Sequence, residues 1–391
     1  MIVLTALLGL LAAVLLLPTV SDLLSLFRLA RGKRSSAQPP AEPPRLLFLV
    51  PAHNEERMIE SCVRSLLNQQ YPERFTAVVI ADNCEDQTAG RARRAGAQCL
   101  ERNDGNLPGK PRAIAWALTQ LPLQQYDAVI IIDADTIVDA QFGNALASVG
   151  PVSGRAFQAY FDVRNPHDTL LTTMATVLAA ANYRFAYALK RNVGLNAPLL
   201  GNGMCIGTQV LERHGWKAFT IAEDWELYAL YTTQGVPIES LEEAHLYAQE
   251  ARSLEQSSTQ RRRWTAGKVT VLWRHVGSLL RSRNIGLAQK LDAVAELTHP
   301  GPVMHLSLVM VLAGVTAILR PPGAEWLLIV LTASLIRLTI YTVAGLAVQS
   351  QPLRAAGAFA LLPFYLVWRV GTAVAALKQV GDKPWLRTAR D

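Results

Sequence analysis

The chain has 391 residues, half of them hydrophobic, and a formal net charge of +7; that length allows one large domain with membrane segments, or two domains. The basic residues gather beside apolar segments, Arg28, Arg31, Lys33 and Arg34 at one end and Arg274, Arg281 and Arg283 at the other, which fits cytosolic loops and anionic lipid head groups and speaks against a nucleic-acid partner. Cys62, Cys84, Cys99 and Cys205 form no CxxC pair, so neither a zinc site nor a disulfide framework is expected, and the thiols fit a reducing compartment.

Met1 to Thr19 is almost wholly apolar and the run continues, diluted, to Phe27; residues 1–27 are expected to form a transmembrane helix. A cleaved signal peptide would carry its basic residues ahead of the apolar run, whereas here they follow it. The positive-inside rule then puts the N-terminus outside and brings the chain into the cytosol at Arg28. Residues 28–44, including SSAQPPAEPP from Ser35 to Pro44, read as a basic, proline-extended linker.

From Arg45 the pattern alternates. Leu46–Val50, Ala77–Ala81 and Ala128–Ile132 are short apolar runs suited to buried parallel strands, and Glu55–Gln69 and Pro111–Leu121 are helix-length segments between them. The expectation is an α/β domain over residues 45–265 with a mostly parallel, helix-covered sheet, whose ligands bind beyond the strands' carboxyl ends.

Residues 266–298 read as amphipathic interface helices: Val269, Leu272, Trp273, Val276 and Leu280 share one helical face, against Lys268, Arg274 and Arg281. Three apolar stretches follow within residues 299–377, namely Val303–Leu319, Trp326–Val348 and Ala355–Ala376. Arg337 and Arg369 lie inside the last two; either serves a function or faces a protein bundle. The basic tail 378–391, with Lys378, Lys383, Arg387 and Arg390, belongs in the cytosol. Four full spans would put it outside, so Ala355–Ala376, interrupted by Pro363, is expected to lie in the interface or to enter and return.

Polar motifs sit at the strand ends. Asp133-Ala134-Asp135 closes one strand; such a pair either holds a divalent cation against a diphosphate or serves as turn caps. Glu223-Asp224 opens a helix, as an N-terminal capping pair or with a general base for an acceptor hydroxyl. In Gln260-Arg261-Arg262-Arg263-Trp264, arginine suits a diphosphate and tryptophan a sugar face, or the run is a basic juxtamembrane helix. Val50-Pro51-Ala52-His53-Asn54-Glu55-Glu56 follows the first strand, with Glu55 opening a helix, and Ala81-Asp82-Asn83 ends the second. Gly109-Lys110 opens another helix, where backbone N–H groups and an ammonium suit phosphate. Gly201-Asn202-Gly203 is a tight turn allowing close approach of backbone to a ligand. His245 reads as a packed histidine before a metal ligand.

In this order VPAHNEE, ADN, DAD, ED and QRRRW resemble the family two glycosyltransferases, particularly the membrane-integrated cellulose, hyaluronan, chitin and poly-N-acetylglucosamine synthases. The likeness runs from Leu46 to about Trp273. It implies a GT-A fold and an inverting transfer assisted by Mg²⁺ or Mn²⁺. By resemblance, Pro51, Ala52, Glu55 and Asp82 would hold the nucleoside and Lys110 would lie near the diphosphate. Asp133 would contact the nucleotide, Asp135 the metal, and Asp224 would be the base. Gln260 and Arg263 would meet the donor, and Trp264 the acceptor, together with Gly201, Asn202, Gly203 and Glu223. Two departures stand out. ADNCEDQT replaces the usual DDGSxDxT, with Asn83 where many relatives have Asp or Gly. One span precedes the domain where many synthases have two, which leaves room for a membrane partner subunit. The expected partners are a nucleotide-sugar (UDP) donor, a carbohydrate or lipid acceptor, and the bilayer. The product is a growing polysaccharide or oligosaccharide; the rivals are a single transfer to a membrane lipid and a non-catalytic membrane subunit that keeps the fold.

Overall fold

The computed structural model describes residues 1–32, 39–40, 42–72 and 74–381. Lys33, Arg34, part of the linker, and Lys383, Arg387 and Arg390 of the tail lie outside the described residues. Eight strands form one sheet: β1 (Leu46–Ala52), β2 (Phe75–Asp82), β3 (Gln98–Arg102), β4 (Ala128–Ile131), β5 (Ile137–Val138), β6 (Ala156–Val163), β7 (Met204–Gly207) and β8 (Ile238–Ala248). Their order is β3-β2-β1-β4-β7-β6-β8-β5. β1 pairs parallel with β2 and β4, β2 with β3, and β6 with β8, while β7 runs antiparallel to β4 and β6, and β5 to β8. This is a GT-A-like α/β arrangement.

The three expected strands form because their Val, Ile and Leu side chains are buried on both faces, Leu46 and Phe48 in one layer and Leu47 and Leu49 in the other. Glu55 does not open a helix. It stands in a turn whose carbonyl accepts from Met58 and Ile59 N–H, and the helix runs Ile59–Leu67. Lys110–Gln120 forms the next expected helix.

The linking element is a helix from Leu254 to Arg281, which crosses the expected boundary at residue 265 without a break. Its buried face is Ala266, Gly267, Thr270, Val271 and Leu279. Trp273 and Leu280, on the expected interface face, are exposed. Lys268 departs from the expected polar face: its Nζ lies 3.8 Å from the Trp225 ring centre and donates to the His299 carbonyl at 2.7 Å.

Among the described residues four helices are long and apolar enough to cross a membrane: Ile2–Arg31, Pro302–Leu319, Ala324–Ala347 and the segment Pro352–Leu377. The first extends past the expected end at residue 27, so Arg28 and Arg31 are helical. The last contains a 3₁₀ turn at Ala358–Leu361, and Pro363 falls in the first turn of the helix Leu362–Leu377, where its missing N–H costs nothing. The apolar helices and the α/β domain meet over buried charge. Arg337 Nε donates to Asp22 at 2.7 Å, Lys190 pairs with Asp292 and, at 3.1 Å, with Glu296, and Ser21 donates to Asp292 at 2.8 Å. Arg337 thus faces protein groups, and Arg369 is buried too.

Candidate active site

The carboxyl ends of β1, β2 and β4 open onto one side, and the polar motifs line it. Pro51 and Ala52 end β1 in register with Ile80 and Ala81 of β2. The next loops are braced by two asparagines with left-handed backbones, Asn54 at φ 53° and Asn83 at φ 52°. Asn tolerates this region better than most non-glycine residues, which explains Asn83 where relatives carry Asp or Gly. Asn54 Oδ1 accepts from Glu85 N–H, and Asn83 Oδ1 from Asp104 N–H, each at 2.8 Å. Glu55 N–H donates to Thr88 Oγ1 at 2.8 Å.

Asp82 is not a free carboxylate. Oδ1 accepts from Arg102 at 2.6 Å and Oδ2 from Gly109 N–H at 3.3 Å, in a buried pair. Arg102 escaped the sequence reading because QCLER, the last strand toward that edge, is half-exposed and carries no apolar run.

The centre of the site is Lys110. Its Nζ donates to Asp133 Oδ1 and to the Gly201 carbonyl, both at 2.7 Å, and stands 3.5 Å from Glu223. Burial alone would lower the ammonium's pKa, but Asp133 and Glu223 outweigh it and raise it, so the charge is retained. Asn202 fixes the DAD turn: its Oδ1 accepts from Asp133 N–H at 3.1 Å, and its Nδ2 donates to Thr136 at 2.8 Å. Gly203, at φ 73°, has no room for a side chain, since a Cβ would lie 2.2 Å from Leu246 Cδ2. A Cβ on Gly201 would stand 3.2 Å from Asp224 Oδ2. The glycine turn therefore touches both Lys110 and Asp224.

Glu223 and Asp224 begin the helix Glu223–Thr233, which has no side-chain N-cap bond. The carboxylate that ties down the preceding loop is Glu226, accepting from Phe219 and Thr220 N–H at 2.8 and 2.9 Å. Asp224 Oδ1 itself accepts from Trp225 N–H at 2.8 Å, so the pair serves the helix's first turn as well. Burial, then the neighbouring Glu223, raises Asp224 to a pKa of about 7.

Gln260, Arg263, Trp264 and Gly267 recur at helical spacing and form one stripe. At its end a Gly267 Cβ would lie 2.6 Å from Ala222 Cβ, so the helix backbone rests directly on the residue before Glu223. Gly267, three residues beyond the motif's tryptophan, was overlooked. Trp264 is 42% exposed and free to meet a ligand. His245 is packed, its ring 4.5 Å from that of Tyr160.

Among the described residues no group of three or more His, Cys, Asp or Glu side chains could hold a metal by itself. Asp133 is engaged by Lys110 and Asp135 is half-buried beside it. A hard cation that keeps waters and shares diphosphate oxygens needs only one or two protein carboxylates. The donor set fits Mg²⁺ or Mn²⁺ arriving with a diphosphate.

A GT-A-like sheet with a carboxylate–lysine cluster at its strand ends is the arrangement of a glycosyltransferase. The chain belongs to the glycosyltransferase like family 2, which residues 43–267 match. It is 24% identical over 250 residues to the probable glycosyltransferase YdaM of Bacillus subtilis (strain 168), covering 61% of this chain and 59% of that protein. It is 22% identical over 271 residues to glucomannan 4-beta-mannosyltransferase 7 of Arabidopsis thaliana, covering 63% and 47%. These matches span about half to three fifths of the relatives' length. Among solved structures, the mannosyltransferase PcManGT from Pyrobaculum calidifontis, in complex with GDP-Man and Mn²⁺, shares the fold over 95% of this chain and 97% of its own. Its TM-score is 0.59 and its identity 20%.

Proposed function

We propose that the chain is a membrane-bound, inverting transferase that moves a sugar from a nucleoside diphosphate to an acceptor at the cytosolic membrane surface. The observation that carries this is the meeting of Lys110, Asp133, Gly201, Glu223 and Asp224 at the strand ends. The acceptor hydroxyl oxygen attacks the anomeric carbon as the bond to the diphosphate oxygen breaks, and Asp224 takes the hydroxyl proton. Lys110 and Arg263 lie against the leaving diphosphate, Pro51, Ala52, Glu55 and the Asp82–Arg102 pair around the nucleoside, and Trp264 on the acceptor. A divalent ion held by Asp135 would supply Lewis-acid neutralisation of the leaving group.

The product is a growing polysaccharide or oligosaccharide, as the QxxRW pattern suggests, and the donor a UDP-sugar. Support for a single transfer to a lipid comes from the packing of the Leu254–Arg281 helix, which carries Trp264, against Leu362–Leu377 of the last apolar segment. Incubating the purified chain with labelled UDP-glucose, UDP-N-acetylglucosamine or GDP-mannose and sizing the product separates the two. A ladder supports elongation, one organic-soluble species supports lipid glycosylation, and no diphosphate release from any donor removes the enzyme reading. The tail is assigned to the cytosol, with Ala355–Ala376 in the interface or re-entrant; a C-terminal alkaline phosphatase fusion that is active would reverse that.

A further inference from the structure

Away from the Lys110 cluster, a buried guanidinium with no carboxylate partner among the described residues lies on a helix packed against one that carries an Arg–Glu pair. Arg369 is buried at 7% exposure, and its side chain has one described polar partner, Thr372 Oγ1 at 3.2 Å. Arg261 stands on the helix that packs against Arg369's own. Arg261 donates to Glu250 at 3.2 Å, and its guanidinium carbon stands 4.9 Å from the centre of the Trp264 ring. Two cations against one anion leave an excess positive charge. Two donors here also lack partners: Arg261 Nε and Ser257 Oγ are buried without a hydrogen bond.

The helical spacing gathers these groups. Ser257 and Arg261 are four apart on one helix and Arg369 and Thr372 three apart on the other, so each pair shares a face. Apolar packing closes the neighbourhood, with Leu254 against Tyr365 and Leu366. A buried, unneutralised guanidinium costs stability unless an anion completes it. Thr372 Oγ1 donates to the Arg369 carbonyl at 2.9 Å, so the open donors are the two guanidiniums and the Ser257 hydroxyl, which suit a tetrahedral oxyanion with several acceptor oxygens.

We propose that Arg261, Arg369 and Ser257 form a site for the phosphate of a membrane-lipid head group, with Thr372 orienting Arg369. Arg369 lies on an apolar segment, where the abundant anions are lipid phosphates. The site adjoins Trp264, so the bound head group sits beside the acceptor side of the active site. The inference rests on the reading that residues 352–377 lie at the membrane. It does not depend on which sugar is transferred, and binding is measured without any donor.

Delipidated full-length chain in neutral detergent is titrated with phosphatidic acid, with diacylglycerol of the same chains, and with inorganic phosphate. Phosphatidic acid is expected to bind and raise Tm, and diacylglycerol to do neither. Arg369→Met and Arg261→Gln should each weaken phosphatidic acid binding about ten- to a hundredfold, the usual worth of a hydrogen bond to a charged group. Without lipid, Arg369→Met should melt no lower than the wild type, because it removes an unneutralised charge. Inorganic phosphate binding as tightly as the lipid overturns the membrane assignment. Equal lipid affinity in wild type and both variants, or a lipid-free Arg369→Met that melts several degrees lower, overturns the site itself.

Discussion

Two buried charge clusters stand on either side of the Leu254–Arg281 helix, and their composition differs. At the strand ends one ammonium, Lys110, faces Asp133, Glu223 and Asp224. Where the apolar helices meet the domain, Lys190 and Arg337 pair with Asp22, Asp292 and Glu296, and Lys268 lies nearby on the His299 carbonyl. The second cluster holds as many cations as anions, while the first carries excess negative charge. Buried charge that is already matched serves to join parts of a fold, whereas unmatched charge needs a ligand. Lys268 touches both regions: burial lowers its pKa to about 8, with Glu296 and Asp224 partly opposing the shift.

The sharpest way to break this contrast is at Asp224. Asp224→Asn keeps the side chain's size but takes no proton, so transfer should fall by about two to four orders of magnitude with nucleotide binding retained. Rates within a few-fold of wild type would place the base elsewhere. Next comes the excess charge itself. Chelation should cost more than about a hundredfold in transfer, restored by Mg²⁺ or Mn²⁺ in the wild type and not in Asp135→Ala. Full activity in excess EDTA would show that the leaving group is neutralised without a metal, by Lys110 and Arg263.

The junction should answer in stability instead. Lys190→Met leaves Asp292 and Glu296 buried without their ammonium, a loss of about 3–5 kcal/mol. Denaturant titration should detect it, while the protein that remains folded transfers at the wild-type rate; a large rate loss in folded protein would join the two clusters functionally. The smallest effect is a pH dependence. Asp224 has a folded pKa raised to about 7 by burial and Glu223, so its protonated form favours folding and that contribution fades as pH rises through 7. Asp224→Asn should therefore melt above the wild type at pH 8, the gap closing below about pH 4, near the unfolded carboxyl's value. A gap that is constant with pH would mean Asp224 titrates alike in the folded and unfolded chain.

Much of this was legible in the sequence, and the limits are physical. β1, β2 and β4 announce themselves because strands buried on both faces must be apolar throughout. β3 and β8 carry mixed faces and do not. Lys110, Asp133 and Asp224 could be chosen by residue type at strand and helix ends, but not their mutual distances, which depend on the Gly201–Gly203 turn arriving from far along the chain. Lys268 looked like an outward charge because, with Arg274 and Arg281, it was set against the helix's apolar face; only packing against Trp225 and His299 turns it inward. Arg102 and the Arg261–Arg369 pair are tertiary meetings that periodicity cannot foresee.

The bare contact of Gly267 with Ala222 has a genetic consequence. Every amino-acid change that one base substitution can make in a glycine codon introduces a Cβ, and at Gly267 that atom would lie 2.6 Å from Ala222 Cβ, one residue before Glu223. The position therefore has no mild missense allele among its nearest mutational neighbours. Drift there must begin with a compensating shift along Ile221 and Ala222, making this short join a slow-changing point in a lineage whose surrounding helix faces can vary.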